Sequence, residues 1–409
     1  MLKRITISHY KSISFADVYL SNINICVGNN ASGKSNFLDA IGFLSDIASA
    51  DLDFAIATRH GIKSVSEWAP RRRADVSIGI EFELGSLRGT YTITIRPSTD
   101  RFFVRSESGS VSYFESRKRP RPAPSLLSGV LLEGESENKR TELSFTRTAD
   151  GKIAVTGGSA PSVEWMERMH FLETDTVLHA LSSRNLFGRL GQIAAFLENI
   201  RLYKIYPNTL RTPEVPTSEA VLKEHGENTA SVYKRMTSRD NNKNREARRE
   251  IVESLKLAVP ELTGIQTRNI AGYVAPTFQM KEASGQTHFY NASQMSDGTL
   301  RLFGLLVALY QTSSPRLLCL EEPEQNINPG MLDIIAESVE DISERTQVII
   351  STHSPYLLDR FDPDDLIVFD KQDGKTQIGK IDRRQKEIVK RGLKTLGQIS
   401  MSDMIRKDG

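Results

Sequence analysis

The stretch that most constrains this chain is Gly28-Asn29-Asn30-Ala31-Ser32-Gly33-Lys34-Ser35, a G-x-x-x-x-G-K-S run placed directly after the apolar Ile23 to Val27. An apolar strand running into a glycine-bounded loop that opens a helix predicts an α/β domain. The glycines let backbone N–H groups turn inward around phosphates, and the helix N-terminus adds positive potential. Lys34 supplies a mobile cation for the β- and γ-phosphates, and the Ser35 hydroxyl is placed to ligate Mg²⁺. The spacing and its context predict binding of a nucleoside triphosphate.

The chain has 409 residues, enough for two domains or one domain with a large insertion. A net charge of +2 argues against a molecule that binds polyanions over its whole surface, so any nucleic-acid contact must be local. Cys26 and Cys319 both fall in apolar runs and are expected as buried thiols in a reducing cytosol. No apolar run reaches membrane-spanning length and the N-terminus lacks a signal-peptide core, so the expectation is a cytoplasmic protein with no membrane partner.

Alternation predicts strands over Leu2 to Ser8 and Ile13 to Leu20 ahead of the phosphate-loop strand. The helix from Lys34 carries Phe37, Leu38, Ile41, Leu44 and Ile47 on one stripe. Val76 to Leu84, Thr90 to Ile95 and Phe102 to Glu107 predict an antiparallel meander, with Gly85 to Gly89 as a hairpin connection. Ala149-Asp150-Gly151 predicts a second hairpin. Arg71-Arg72-Arg73 and the basic, proline-rich Ser116 to Pro124 read as exposed loops. Helical patterns are expected from Val163 to about Ile205, with Ile200 on the apolar stripe, and from Ser218 to Val259. Within the latter, Lys234 to Arg249 holds seven basic and two acidic residues, a candidate nucleic-acid contact or, equally, a solvated helix face. Two strands are expected around Gly285.

Further candidate chemistry lies in the last third. Ser296-Asp297-Gly298-Thr299 opens a nearly all-apolar helix, Leu300 to Tyr310, a second helix N-terminus suited to an anion. The short apolar strand Arg316 to Leu320 ends in Glu321-Glu322-Pro323-Glu324. Carboxylates at a strand end, in a chain with a phosphate loop, suit a Mg²⁺ site at Glu321 and a water-polarising base at Glu322. Gln347 to Ile350 runs into Ser351-Thr352-His353-Ser354-Pro355, where His353 could bond a γ-phosphate or order the attacking water.

Taken in order, G-N-N-A-S-G-K-S, S-D-G-T, L-E-E-P-E and S-T-H-S-P resemble the motifs of ABC-type P-loop ATPases of the RecF/SMC-like branch. The chain is most similar to the ATPase part of OLD-family proteins, and the opening Tyr10-Lys11-Ser12-Ile13 is also like that branch. The resemblance implies an ABC-type head with a mixed sheet, an antiparallel β subdomain and a mainly helical insertion. It divides the chain into residues 1–95, 96–290 and 291–409. It implies ATP and Mg²⁺ as ligands. Asn29, Asn30, Ala31, Ser32, Gly33, Lys34, Ser35 and Asn36 would hold nucleotide, with Ser35 and Glu321 on the metal. Glu322 and His353 would be catalytic. Ser296, Asp297, Gly298 and Thr299 match the signature that, in the family, contacts nucleotide held by the other protomer, which implies a homodimer or a higher oligomer. The wider superfamily more often has Asp at the place of Glu321, and no glutamine after the first helix matches the family's Q-loop. No acidic clusters of a Toprim nuclease follow Phe369, so an effector is expected to be a separate chain.

The expected function is Mg²⁺-dependent ATP hydrolysis by a composite-site dimer, a switch coupled to nucleic acid or an effector, with anti-phage defence as the setting the resemblance implies. Two alternatives are an ATP-bound oligomeric scaffold holding a toxin or nuclease, and a RecF-like DNA repair ATPase.

Overall fold

The computed structural model describes residues 1–67, 74–99, 101–116, 138–157, 168–183, 188–236, 242–402 and 404–408. Two compact units divide the chain: Tyr10–Ser45 with Asn199–Gly409, and Leu2–His9 with Asp46–Glu198.

The first unit is built on a six-stranded sheet in the order Lys375–Gly379, Leu366–Gln372, Ile23–Gly28, Gln347–Thr352, Leu317–Glu321, Ile200–Tyr203. Every neighbouring pair is parallel except the first. Parallel strands covered on both faces read as continuous apolar runs rather than alternating ones. Accordingly Ile25 to Val27, Leu317 to Leu320 and Val348 to Ile350 are all buried. Helix Lys34–Ser49 sets the Phe37 ring edge-on to Phe369, 5.5 Å between centroids. Helix Asp297–Tyr310 is buried from Thr299 onward, and its Phe303 meets Tyr233 and Phe278 edge-on at 5.4 Å each. Such enclosure explains why that helix is apolar all round instead of striped. A three-stranded antiparallel sheet, Leu262–Ile270, Tyr273–Lys281 and Thr287–Asn291, completes the unit's strands beyond Ile13–Tyr19.

The second unit carries an antiparallel meander, in order Leu2–Tyr10, Val76–Leu84, Leu87–Pro97, Phe102–Ser116, Asn138–Arg147 and Ile153–Thr156. One face is buried by alternation: Val76, Ile78, Ile80 and Phe82, then Leu87, Tyr91, Ile93 and Ile95. Helix Gly191–Leu197 stacks Phe196 on Phe82 at 4.4 Å. A buried polar cluster joins a second helix, Val177–Ser183, to the sheet. The Glu107 carboxylate accepts from the backbone N–H of Val177 (2.7 Å) and Leu178 (2.8 Å) and from the Tyr91 hydroxyl (2.9 Å). Arg147, beside it, donates to the Leu172 carbonyl at 2.7 Å.

Four expectations are corrected. Ile200 belongs to an edge strand, not a helical stripe, because Ile200–Tyr203 pairs with Leu317–Leu320. The Ser218 to Val259 pattern is helical only over Thr229–Arg235 and Asn242–Ala258. Before Thr229, Gly226 has φ +84° and the Asn228 side chain bonds Lys223 N–H and the Val221 carbonyl, local bonds that compete with a helix. Leu262–Ile270 is a strand the sequence reading lacked. The Gly85 to Gly89 connection shrinks to two residues, since Leu84 already pairs with Leu87. The Arg71 to Arg73 triplet, the connector past Ser116 and residues 237–241 of the basic stretch lie outside the described residues. Among the described residues, no helix is long and apolar enough to cross a membrane. Cys26 and Cys319 are buried and unbridged, and burial pushes the Cys26 thiol up to about 12, which keeps it protonated and unreactive.

Candidate nucleotide site

The phosphate loop leaves the C-terminal end of the central strand Ile23–Gly28 and its shape requires glycine twice. Gly28 has φ +156°, and a Cβ there would stand 2.1 Å from the Phe369 carbonyl oxygen. Gly33 has φ +109°, and its Cβ would meet Thr376 Oγ1 at 2.1 Å. Thr376 reaches in from the neighbouring hairpin. Its hydroxyl donates to the Ser32 carbonyl at 2.8 Å and lies 2.7 Å from Ser12 Oγ. Ser12 Oγ in turn accepts from Asn36 Nδ2 at 2.7 Å. The loop is therefore held from outside by Thr376, which leaves its inner side for a ligand.

That inner side is a cavity of ≈ 660 Å³, lined by Ser12, the run from Asn30 to Asn36, Glu322, His353 and Lys371. Lys34 is buried there, and its ammonium donates to the carbonyls of Gly28 (2.9 Å) and Asn29 (3.0 Å). Burial lowers its pKa, opposed by the charge of Glu322. Ser35 Oγ donates to Glu321 Oε1 at 2.5 Å, while Lys204 Nζ sits 3.2 Å from Glu321 Oε2. A hydroxyl beside a carboxylate is a hard-oxygen pair of the kind Mg²⁺ takes.

Glu322 adopts φ +45°, a left-handed conformation that a side chain normally avoids. Its backbone is pinned on both sides: the N–H donates to the Ser351 carbonyl at 2.9 Å, and its carbonyl accepts from Arg301 at 2.8 Å. The carboxylate accepts from Gln325 and lies 3.6 Å from His353 Nε2. Glu324 fixes the main chain at His353: its Oε1 accepts from the His353 backbone N–H (2.7 Å) and from the Thr352 hydroxyl (2.8 Å). Burial, reinforced by the Lys34 charge, lowers the His353 pKa below its ordinary value of 6.5. The imidazole is thus neutral at pH 7, able to donate from one nitrogen and accept at the other. Burial raises the Glu324 pKa, and its second oxygen has no hydrogen-bond partner.

Nine of the expected residues line one cavity, Asn30 to Asn36 with Glu322 and His353, and Glu321 joins them as a tenth through Ser35. Asn29 does not; its amide reaches Met404 Sδ at 3.3 Å. Ser296, Asp297, Gly298 and Thr299 also lie outside that lining. They form the N-terminus of helix Asp297–Tyr310, where Ser296 accepts from the Thr299 N–H (3.2 Å) and Arg211 pairs with Asp297 (2.5 Å). A Cβ on Gly298 would meet the Asn326 carbonyl at 2.8 Å. Lys204, Lys371, Thr376 and Arg301 were not singled out from sequence. No local pattern marks them, because each arrives from a distant strand or helix.

The basic stretch is partly committed to packing. Arg248 donates to the Tyr233 hydroxyl (3.2 Å) and the Ile265 carbonyl (3.0 Å), and Arg249 pairs with Glu250 at 3.0 Å. Lys243 and Arg245 stand exposed on the same helix.

Comparison with known proteins agrees with this architecture. A stretch of 78 residues is 37% identical to the DNA replication and repair protein RecF of Streptococcus agalactiae serotypes Ia, V and III, over 19% of this chain and 18% of theirs. The chain therefore spans under a fifth of the curated relatives it matches. In fold it is similar to an SMC head bound to the C-winged helix domain of ScpA, with TM-score 0.52 and 14% identity over 94% of this chain and 99% of that one. An Smc head domain with an extended coiled coil bound to the C-terminal domain of ScpA, from Pyrococcus furiosus, gives TM-score 0.50 at 11% identity over 96% of this chain and 99% of that one. Residues 23–136 and 168–359 match the family described as an AAA domain, putative AbiEii toxin, Type IV TA system, and the chain belongs to that family, with the head fold of P-loop ATPases of the RecF/SMC branch.

Proposed function

We propose that this chain binds ATP with Mg²⁺ in the ≈ 660 Å³ cavity and hydrolyses it as a head-to-tail dimer. The observation that carries this reading is the convergence on one cavity of the glycine loop, Lys34, the Glu322 carboxylate and the His353 imidazole. Loop N–H groups and Lys34 would hold the β- and γ-phosphates. Ser35 and Glu321 would hold Mg²⁺, which when bound neutralises charge on the phosphate oxygens. Glu322 would accept a proton from the attacking water, and neutral His353 would donate a hydrogen bond to the γ-phosphate. Ser296 to Thr299, outside their own chain's cavity, would close the cavity of a second copy with helix N-terminal N–H groups.

Lys34→Ala is the direct test. It removes a charged hydrogen-bond donor, so affinity for a fluorescent ATP analogue should fall about 10–100-fold with the fold intact by circular dichroism. An unchanged affinity would mean that nucleotide, if it binds at all, binds elsewhere.

The closed dimer would act on nucleic acid or on a separate effector. The family description names a toxin of a toxin–antitoxin system, which favours a defence setting. For nucleic acid, Lys243 and Arg245 are the contacts rather than Arg248, whose donors face Tyr233 and Ile265. Reversing both charges should weaken DNA binding across sequences and reduce its salt slope by about two. If affinity and slope do not move, an effector protein becomes the favoured partner of this switch.

A further inference from the structure

One cation next to the candidate metal oxygens has no role in the reading above. Lys204 follows the edge strand Ile200–Tyr203, whose ladder with the carboxylate strand ends at Tyr203 opposite Leu320. The next step of that register sets Lys204 beside Glu321. Its main chain is fixed on both sides: the N–H donates to the Glu224 carbonyl at 2.9 Å, and its own carbonyl lies 3.1 Å from His225 Nδ1. The ammonium reaches Glu321 Oε2 at 3.2 Å, while Ser35 Oγ holds Oε1 at 2.5 Å.

We infer that Lys204 is a resident counter-cation of Glu321 that weakens the hold of the Ser35–Glu321 oxygen pair on a divalent cation, so that metal enters with the nucleotide rather than before it. This rests on the assignment of Ser35 and Glu321 as metal ligands. Two effects of Lys204 oppose each other. Orienting the carboxylate would help a metal, and placing a positive charge across the same carboxylate would repel it. Orientation is already supplied by Ser35, so its loss is small. Repulsion acts through one carboxylate between groups only about one third and one fifth exposed, where water and salt screen weakly. Charge therefore wins. Without Lys204, Glu321 would present a full negative charge to a metal even when no phosphate is there to share the load.

The experiment is a Mn²⁺ titration of the nucleotide-free full chain, followed by electron paramagnetic resonance. Lys204→Met keeps the aliphatic stem and removes the charge. It should lower the half-saturating Mn²⁺ concentration about tenfold, some 1.4 kcal/mol, and Lys204→Arg should stay within about twofold of the parent. A Lys204→Met chain that binds Mn²⁺ no more tightly than the parent overturns the inference. Ser35→Ala and Glu321→Ala, titrated with a non-hydrolysable ATP analogue present, separate the two levels. If both leave Mn²⁺ affinity unchanged, the metal assignment falls and this inference with it. If both weaken Mn²⁺ while Lys204→Met changes nothing, the assignment stands and Lys204 only packs against Glu321.

Discussion

Glu322→Gln is expected to cut ATP turnover by about 10²–10⁴-fold, the range for losing a general base, while leaving ATP binding intact. The substitution is nearly isosteric. The backbone bonds that hold Glu322 at φ +45°, to the Ser351 carbonyl and from Arg301, do not involve the side chain and persist. The amide cannot take a proton from water, so bound ATP should survive and the closed dimer should accumulate. Two measurements are needed: phosphate release under saturating Mg²⁺ and ATP, and molar mass by light scattering with and without ATP. Parental turnover would remove Glu322 from the base role. A variant that traps ATP yet remains a monomer would refute the composite site while leaving the hydrolytic residue in place.

The largest stability effect is expected far from that chemistry. Glu107→Ala should destabilise the meander unit by about 3–5 kcal/mol, the cost of breaking a buried charged network by deleting one partner. Three donors lose their acceptor: the N–H groups of Val177 and Leu178 and the Tyr91 hydroxyl. Arg147, 1% exposed, also loses the carboxylate that offsets its burial. The effect should be local first. Hydrogen exchange at the Val177 and Leu178 amides should accelerate before exchange in the six-stranded sheet does, because those amides and that sheet belong to different compact units. Tyr91→Phe, which removes one of the three bonds, should cost about 1 kcal/mol. Urea denaturation showing less than about 1 kcal/mol lost in Glu107→Ala would mean that the cluster is incidental to the fold.

How much of this was legible in the sequence varies with the range of the interaction that decides it. The phosphate loop, the meander strand Val76–Leu84 and the helix Lys34–Ser49 are set by local patterns, and they appear where those patterns place them. The Glu321–Glu322 pair and His353 were readable because each stands at the end of a short strand with an apolar run, Leu317 to Leu320 and Val348 to Ile350. Ile200 was misread because a short apolar run next to a helical stripe has no period of its own. Its pairing with Leu317, more than a hundred residues away, makes it a strand.

Local chemistry alone therefore specifies a phosphate cradle with Lys34 and Ser35 in it, and carboxylates and an imidazole at strand ends. Spacing, apolar runs and glycine carry that information, since backbone conformation and helix dipoles act over a few residues. Only the tertiary structure decides that these strand ends stand side by side, that Thr376 braces the loop from behind, and that Lys204 faces Glu321. Strand order determines those contacts, and strand order follows from burying whole apolar faces at once.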